Sequence, residues 1–136
     1  MSITTVKWLE GKQFVGIDST RHSVVISTAE EGVGIKPSEL LLIALASCSA
    51  VDVVGILAKK RQELTHLEIS TSGEQDQDPP WTFRKIHMHF KLSGKDLTEK
   101  AVSDAIELSH EKYCSVAATI RDTAKITTDF EIMPGS

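Results

Sequence analysis

Two cysteines are the residues of this chain best suited to chemistry. Cys48 lies in the most apolar stretch, residues 40–58, and small residues surround it at positions 46–50. Cys114 follows a helical pattern far along the chain, and Ser115 comes directly after it. In a reducing compartment a cysteine pair is more often catalytic, redox-sensing or metal-binding than a structural disulfide. Two unrelated buried thiols are the alternative, because free cysteine is among the most buried residue types.

The positions of the two cysteines predict different electrostatic environments. A helix beginning near Pro37 would place Cys48 about 16 Å from its N-terminus, where the helix dipole acts weakly. Activation of Cys48 would therefore require a cation, since positive charge lowers a thiol pKa. Cys114 precedes a predicted short helix whose free N–H groups favour a thiolate, so we expect Cys114 to ionise more readily. The candidate cations by residue type are Arg21, Arg84, Lys85, Lys112 and Arg121.

Asp52 lies four residues after Cys48 and would share its helix face. Its carboxylate could orient an arginine or oppose ionisation of the thiol. It could equally bond a backbone group or a lysine in a buried network. The sequence leaves these alternatives open.

A metal site is a competing interpretation. His87 and His89 alternate on a predicted strand and would point to one side, as two zinc ligands could, with Cys114 or His110 completing the set. However, the apolar residues between them claim the core face, so both histidines should point outward. No Cys-x-x-Cys or His-Glu-x-x-His spacing supports them, and we predict no metal and no cofactor.

Length and composition exclude several function classes. The 136 residues are expected to form a single domain over residues 1–136, and the net charge of −4 provides no basic field for nucleic acid. The first residues lack the pattern of a secretory signal, which predicts a cytoplasmic protein. No glycine-rich phosphate loop or Gly-x-Ser-x-Gly elbow occurs, which argues against nucleotide binding and serine hydrolysis.

The elements before and around Cys48 are predicted from periodicity and turn residues. Runs at residues 4–9, 13–17 and 23–28, with a turn at 10–12, predict an antiparallel meander. Pro37 and Glu39 mark the start of a helix that should continue to about Arg61. Its apolar residues occupy almost every side, which predicts burial in the core. Polar residues interrupt the run, so we do not expect a membrane span.

The second half of the chain predicts two strands, two helices and a last strand. Strands are expected at residues 66–71 and 81–92. A bulge is expected near Arg84 and Lys85, where the apolar residues switch from odd-numbered to even-numbered positions. Asp96 and Glu99 have the spacing of a capping box for an amphipathic helix. A short helix at 115–121 and a strand at 125–132 follow. The fold class is α+β, with a mainly antiparallel sheet and a long buried central helix. The predicted apolar face of the amphipathic helix is Leu97, Ala101, Val102, Ala105, Ile106 and Leu108.

Two segments resemble signatures of the OsmC/Ohr family, the osmotically inducible protein C and organic hydroperoxide resistance proteins. They are residues 37–52, PSELLLIALASCSAVD, and residues 110–116, HEKYCSV. The order of elements is similar over essentially the whole chain, which looks closer to the YhfA-like branch. The resemblance implies an OsmC-like fold and an intertwined homodimer. In that dimer the central helices would pack together, and Cys48 and Cys114 would meet in a pocket near the interface.

The resemblance also implies a thiol peroxidase that reduces organic hydroperoxides. Cys48 would attack the peroxide and become a sulfenic acid, and Cys114 would resolve it as a disulfide. An external dithiol, lipoyl-type in the family, would then restore both thiols.

One position departs from the family pattern. The peroxidases carry a glutamate ten residues before the first cysteine, where this chain has Ser38. Glu39 is offset by one residue, which is about 100° of rotation on a helix. Arg21 is the nearest candidate for the activating arginine of the family. The alternative function is an OsmC-like protein without efficient peroxidase activity, acting as a redox-responsive or small-ligand-binding dimer.

Overall fold

A computed structural model describes residues 1–134 of the chain. The backbone divides into two compact units, with the boundary between Leu41 and Leu42. The single-domain organisation of residues 1–136 stays a prediction.

The first unit contains the antiparallel meander that the sequence predicts. Its strands are β1 (Thr5–Glu10), β2 (Gln13–Ile17) and β3 (Ser23–Ser27), paired in the order β1-β2-β3. Gly11 has φ +53° in the first turn, a conformation that glycine adopts without strain. In the second turn Asp18 Oδ1 accepts the backbone N–H groups of Thr20 and His22, at 3.0 and 2.9 Å. These contacts stabilise the turn that leads into β3.

The central helix α1 (Pro37–Lys59) begins as predicted and ends two residues before the predicted Arg61. Arg61 has φ +57°, and its N–H donates to the Ala58 carbonyl at 3.0 Å. The Gln62 N–H donates to the Leu57 carbonyl at 2.9 Å. A left-handed residue with such bonds satisfies the last carbonyl groups and terminates a helix.

Burial of α1 follows a single stripe. Leu45, Ser49, Val53 and Leu57 recur every four residues and are buried. Val51, by contrast, is 73 % exposed. The predicted burial is therefore met on one side of the helix within a single chain. By length and composition α1 could also span a membrane, a property that it shares with core helices of soluble proteins.

The second unit is built on a sheet in the order β4-β5-β6, from β4 (Glu63–Gln75), β5 (Phe83–Lys95) and β6 (Lys125–Ile132). Strands β4 and β5 are antiparallel, whereas β5 and β6 are parallel. Glu74 pairs with Lys85 and Gln75 with Phe83, so Arg84 is the extra residue of a bulge, as predicted. Parallel pairing requires a crossover connection, and residues 96–124 supply it.

The crossover contains two α-helices and a π-helix between them within the described part of the chain. They are α2 (Glu99–Leu108), the π-helix (Ser109–Tyr113) and α3 (Ser115–Ile120). The predicted capping box is wrong: Thr98 is the N-cap of α2, and its hydroxyl accepts the Ala101 N–H at 3.1 Å. Asp96 has φ +59° and belongs to the preceding turn. Leu108, which is part of the predicted apolar face, is 38 % exposed.

One hydrophobic cluster joins these elements. Alternate residues of β5, from Ile86 to Leu92, point into it, and the buried stripe of α1 and one face of α2 contribute the rest. Cys114 and Ala117 belong to the same cluster, and Cys48 packs against it. The core of the second unit therefore holds both cysteines.

Candidate functional site

The π-helix and α3 position Cys114. The Cys114 N–H donates to the Ser109 carbonyl at 2.8 Å, five residues back, and the backbone then leaves the helical conformation at Cys114 (φ −77°, ψ 105°). Cys114 is consequently the N-cap of α3, and its Sγ accepts the Ala117 N–H at 3.3 Å. A buried sulfur thus lies at the start of a helix.

The structure brings the two thiols together. Cys48 is half-buried on α1, Cys114 is buried, and neither forms a disulfide. Each thiol shifts the pKa of the other, so the two side chains lie close together. A helix in the middle of the chain and a turn near its end therefore share one sulfur pair.

The first turn of α3 divides its free N–H groups between the two sulfurs. The Ala117 N–H caps Cys114, the Ser115 N–H lowers the pKa of Cys48, and the Val116 N–H lowers the pKa of both thiols. The Ser115 hydroxyl also lowers the pKa of Cys48. These backbone groups have no partner inside the helix, so they are available to a thiolate.

These donors reverse the predicted order of acidity. Burial alone would raise the pKa of the Cys48 thiol, but the hydrogen bonds from Cys114, Val116 and Ser115 outweigh it and lower that pKa. Burial and the neighbouring Cys48 together raise the pKa of Cys114 to about 11, although the N–H groups of Ala117 and Val116 act in the opposite direction. The prediction that Cys114 ionises more readily is therefore wrong, because the more exposed sulfur takes more of the donors.

Activation of Cys48 by a cation stays a prediction. Within residues 1–134, the groups that lower the pKa of Cys48 are hydrogen-bond donors, with no lysine or arginine among them. Arg84 instead pairs with Asp76 at 3.0 Å, and Arg121 donates to the His110 carbonyl at 3.2 Å. Lys112 lies over the ring of Tyr113, 5.5 Å from its centroid.

Asp52 belongs to a small polar network beside the sulfur pair. Its Oδ2 accepts the Ser109 hydroxyl at 2.8 Å, and the Ser49 hydroxyl lies 3.3 Å from that of Ser109. The predicted buried network is thus present, although its partner is a serine and neither a backbone group nor a lysine. The sequence analysis missed Ser109, because a single serine at the end of an amphipathic helix carries no motif.

The histidines lie on the opposite, exposed face of β5 and point outward as predicted. Nε2 of His87 and Nδ1 of His89 both contact Asp129 Oδ1, at 2.8 and 2.7 Å. Hydrogen bonds that His89 donates to Asp129 and Glu131 raise its pKa, and the two histidines lower the pKa of Asp129. Residues 1–134 contain no group of three or more potential ligands arranged to hold a metal ion.

Comparison with known proteins places the chain in a family. The family model described as OsmC-like protein matches residues 16–129. The chain belongs to the OsmC-like family. The α+β prediction is confirmed, because solved OsmC-like structures share the fold.

Individual OsmC-like relatives cover nearly the whole chain. Protein YhfA of Escherichia coli K12 is 38 % identical over 128 residues, which are 94 % of this chain and 96 % of YhfA. A hypothetical protein from Aquifex aeolicus VF5 is 30 % identical with a TM-score of 0.90, covering 100 % of this chain and 98 % of its own. The organic hydroperoxide resistance protein OhrB of Bacillus subtilis shares the fold, with a TM-score of 0.65, 17 % identity and coverage of 96 % and 98 %.

Two further residues that the OsmC-like resemblance singled out lie in the first unit. Glu39 pairs with Lys36 at 2.6 Å on an exposed surface. Arg21 is exposed, with φ +68° in the turn before β3. Their activating or orienting role stays a prediction.

Proposed function

We propose that this OsmC-like chain is a thiol peroxidase that reduces organic hydroperoxides through Cys48 and Cys114. The observation that carries the proposal is the opposite shift of two neighbouring, reduced thiols: the pKa of Cys48 is lowered and that of Cys114 is raised to about 11. A peroxidatic thiolate beside a protonated resolving thiol requires this difference. Family membership supports a peroxide-related redox function.

In the first step the Cys48 thiolate attacks one oxygen of the hydroperoxide. The S–O bond forms as the O–O bond breaks, and the leaving alkoxide takes a proton to become an alcohol. The Cys48 sulfur becomes a sulfenic acid. The donors from Ser115 and Val116 hold the reactive thiolate before attack.

In the second step the Cys114 sulfur attacks the Cys48 sulfenic sulfur. The S–S bond forms, the S–O bond breaks, and the released hydroxide takes the Cys114 proton to become water. Once Cys48 is a neutral sulfenic acid, its charge no longer raises the pKa of Cys114. Oxidation of the first thiol thereby promotes ionisation of the second.

The cycle needs an external dithiol and, we propose, a second copy of the chain. The dithiol, lipoyl-type by resemblance, would reduce the disulfide by thiol exchange. A homodimer would cover apolar residues of α1 that a single chain exposes, such as Ile43 (47 %), Val51 (73 %) and Val54 (48 %). We place the protein in the cytoplasm, where thiols are kept reduced.

The test is to count thiols by mass spectrometry after one equivalent of cumene hydroperoxide. The wild type should lose both thiols to an intrachain disulfide. Cys114→Ser should accumulate sulfenic acid or its overoxidised products at Cys48, whereas Cys48→Ser should keep its thiol. Rapid oxidation of Cys114 in Cys48→Ser would reverse the assigned roles, and an unreacted wild type would refute the peroxidase proposal.

A redox-responsive or ligand-binding dimer is the second candidate function. It is favoured by Ser38, which stands where the family's peroxidases carry glutamate, and by the pairing of Glu39 with Lys36. Turnover separates the two functions. A peroxidase consumes many equivalents of hydroperoxide in the presence of dihydrolipoamide, whereas a redox-responsive protein stops after about one.

A further inference from the structure

We infer that Ser109 and Asp52 form a clamp that positions Cys114 against Cys48 for disulfide formation. The inference rests on the proposed function and adds two positioning residues to it. Neither residue contacts the hydroperoxide in the proposed mechanism. They act through the geometry of the sulfur pair.

The clamp begins on α1, one turn after Cys48. Asp52 is four residues from Cys48 and therefore lies on the same side of the helix. Its Oδ2 accepts the Ser109 hydroxyl at 2.8 Å, and the Ser49 hydroxyl is 3.3 Å from Ser109. Ser109 and Ser49 are 0 and 3 % exposed, so water competes little for the contact between them, whereas the Ser109–Asp52 bond is partly buried.

The clamp ends at the backbone of Cys114. The Ser109 carbonyl accepts the Cys114 N–H at 2.8 Å, which is the bond that closes the π-helix. Ser109 is therefore tied to α1 by its side chain and to Cys114 by its backbone. A continuous chain of hydrogen bonds joins Asp52 to the resolving cysteine.

The π-helix depends on this hydrogen-bonded connection between Ser109 and α1. Its five-residue bond is rare in proteins and often occurs at functional sites. Without the Ser109 hydroxyl, the half-buried Asp52 carboxylate would lose its partner, and the start of the π-helix would lose its anchor on α1. The Cys114 sulfur would then sample positions away from Cys48, which lowers the effective concentration of one thiol near the other.

The equilibrium of the protein with oxidised and reduced glutathione measures that effective concentration directly. Ser109→Ala and Asp52→Ala should each lower the equilibrium constant for Cys48–Cys114 disulfide formation about tenfold, because each removes a partly buried hydrogen bond to a charged group. Asp52→Asn keeps an acceptor oxygen but loses the charge, so its equilibrium constant should lie between those of wild type and Asp52→Ala. Ser103→Ala, on the exposed face of α2, is the matched control.

A second measurement follows the fate of the Cys48 sulfenic acid. With excess cumene hydroperoxide, a displaced Cys114 resolves the sulfenic acid slowly, so sulfinic acid at Cys48 should increase in Ser109→Ala and Asp52→Ala. Val102→Ala destabilises the core at a fully buried site away from the clamp. Well below its unfolding temperature, it should not increase the sulfinic fraction.

The outcomes separate the clamp from the peroxidase. The clamp would be refuted if both alanine variants kept the wild-type equilibrium constant for disulfide formation. It would also be refuted if that constant fell equally in Asp52→Asn and Asp52→Ala. If Ser109→Ala does not fold, the glutathione equilibrium of Asp52→Ala alone tests the clamp. If wild-type Cys48 does not react with hydroperoxide, the proposed function fails, but the glutathione equilibria still test the clamp.

Discussion

At the residue scale, the acidity of Cys48 depends on groups that are remote in sequence. The sequence identified both cysteines and the helix that begins at Ser115. It assigned the free N–H groups of that helix to the adjacent sulfur, whereas two of them act on Cys48. Sequence reasoning could not find this arrangement, because it follows from the packing of the crossover on α1.

The Ser115 hydroxyl offers a test of this arrangement. Ser115→Ala removes one donor to the Cys48 thiolate and keeps the backbone N–H, so the pKa of Cys48 should rise. Alkylation of Cys48 by iodoacetamide at neutral pH should slow between about two- and tenfold, the value of a typical hydrogen bond. Ser103→Ala should react at the wild-type rate, and an unchanged rate in Ser115→Ala would show that the hydroxyl does not act on the sulfur.

At the element scale, periodicity located most helices and strands and failed where tertiary contacts decide. Strand β6 and the bulge at Arg84 are as predicted, since both follow from the alternation of apolar and polar residues along a strand. The N-cap of α2 is Thr98, because Asp96 lies in a left-handed turn. The π-helix has no sequence signal, since its register depends on the buried bonds of Ser109.

Contacts of His89 on β5 with Asp129 and Glu131 on β6 link the two strands. This link predicts that the free energy of unfolding depends on pH. The pKa of His89 is raised, so protonated His89 stabilises the fold fully below its unfolded pKa of about 6.5. That contribution is lost as the pH rises through the folded pKa. Thermal or urea unfolding should therefore show a larger loss for His89→Gln at about pH 5.5 than at about pH 8.5.

The pKa of Asp129 sets the lower limit of the pH range in which this link stabilises the fold. Its lowered pKa means that its contribution is present above 3.8 and is lost as the pH falls through the folded pKa. Lys91 and Glu131 also face this site. His66→Gln is a control on exposed β4, and equal losses for His89→Gln at both pH values would contradict the predicted link.

At the scale of the whole molecule, the apolar residues of α1 exceed what one chain can bury. The sequence predicted burial on almost every side, and the single chain buries one stripe. A hydrophobic pattern reports the total burial of a helix and does not say which chain covers it. We therefore propose that a second copy covers the exposed side.

The central exposed residue of that side provides the test. Val51→Glu should raise the dissociation constant of the proposed dimer at least about a hundredfold, because an unpaired charge would enter an apolar interface. Sedimentation velocity measures the shift. Ser103→Glu adds the same charge on α2 and should leave the oligomeric state unchanged. A monomeric wild type at micromolar concentration would refute the dimer.

The proximity of the two sulfurs would allow a covalent link between distant parts of the chain. Cys48 and Cys114 are separated by 114 − 48 = 66 residues, nearly half of the 136. A bond between them would close a long loop in the unfolded chain and remove much of its conformational freedom. In the loop-entropy view this raises the free energy of unfolding by about 4 kcal/mol. The oxidised protein would then have the higher free energy of unfolding. Under the proposed function, each cycle would alternate between a less stable reduced chain and a more stable oxidised one.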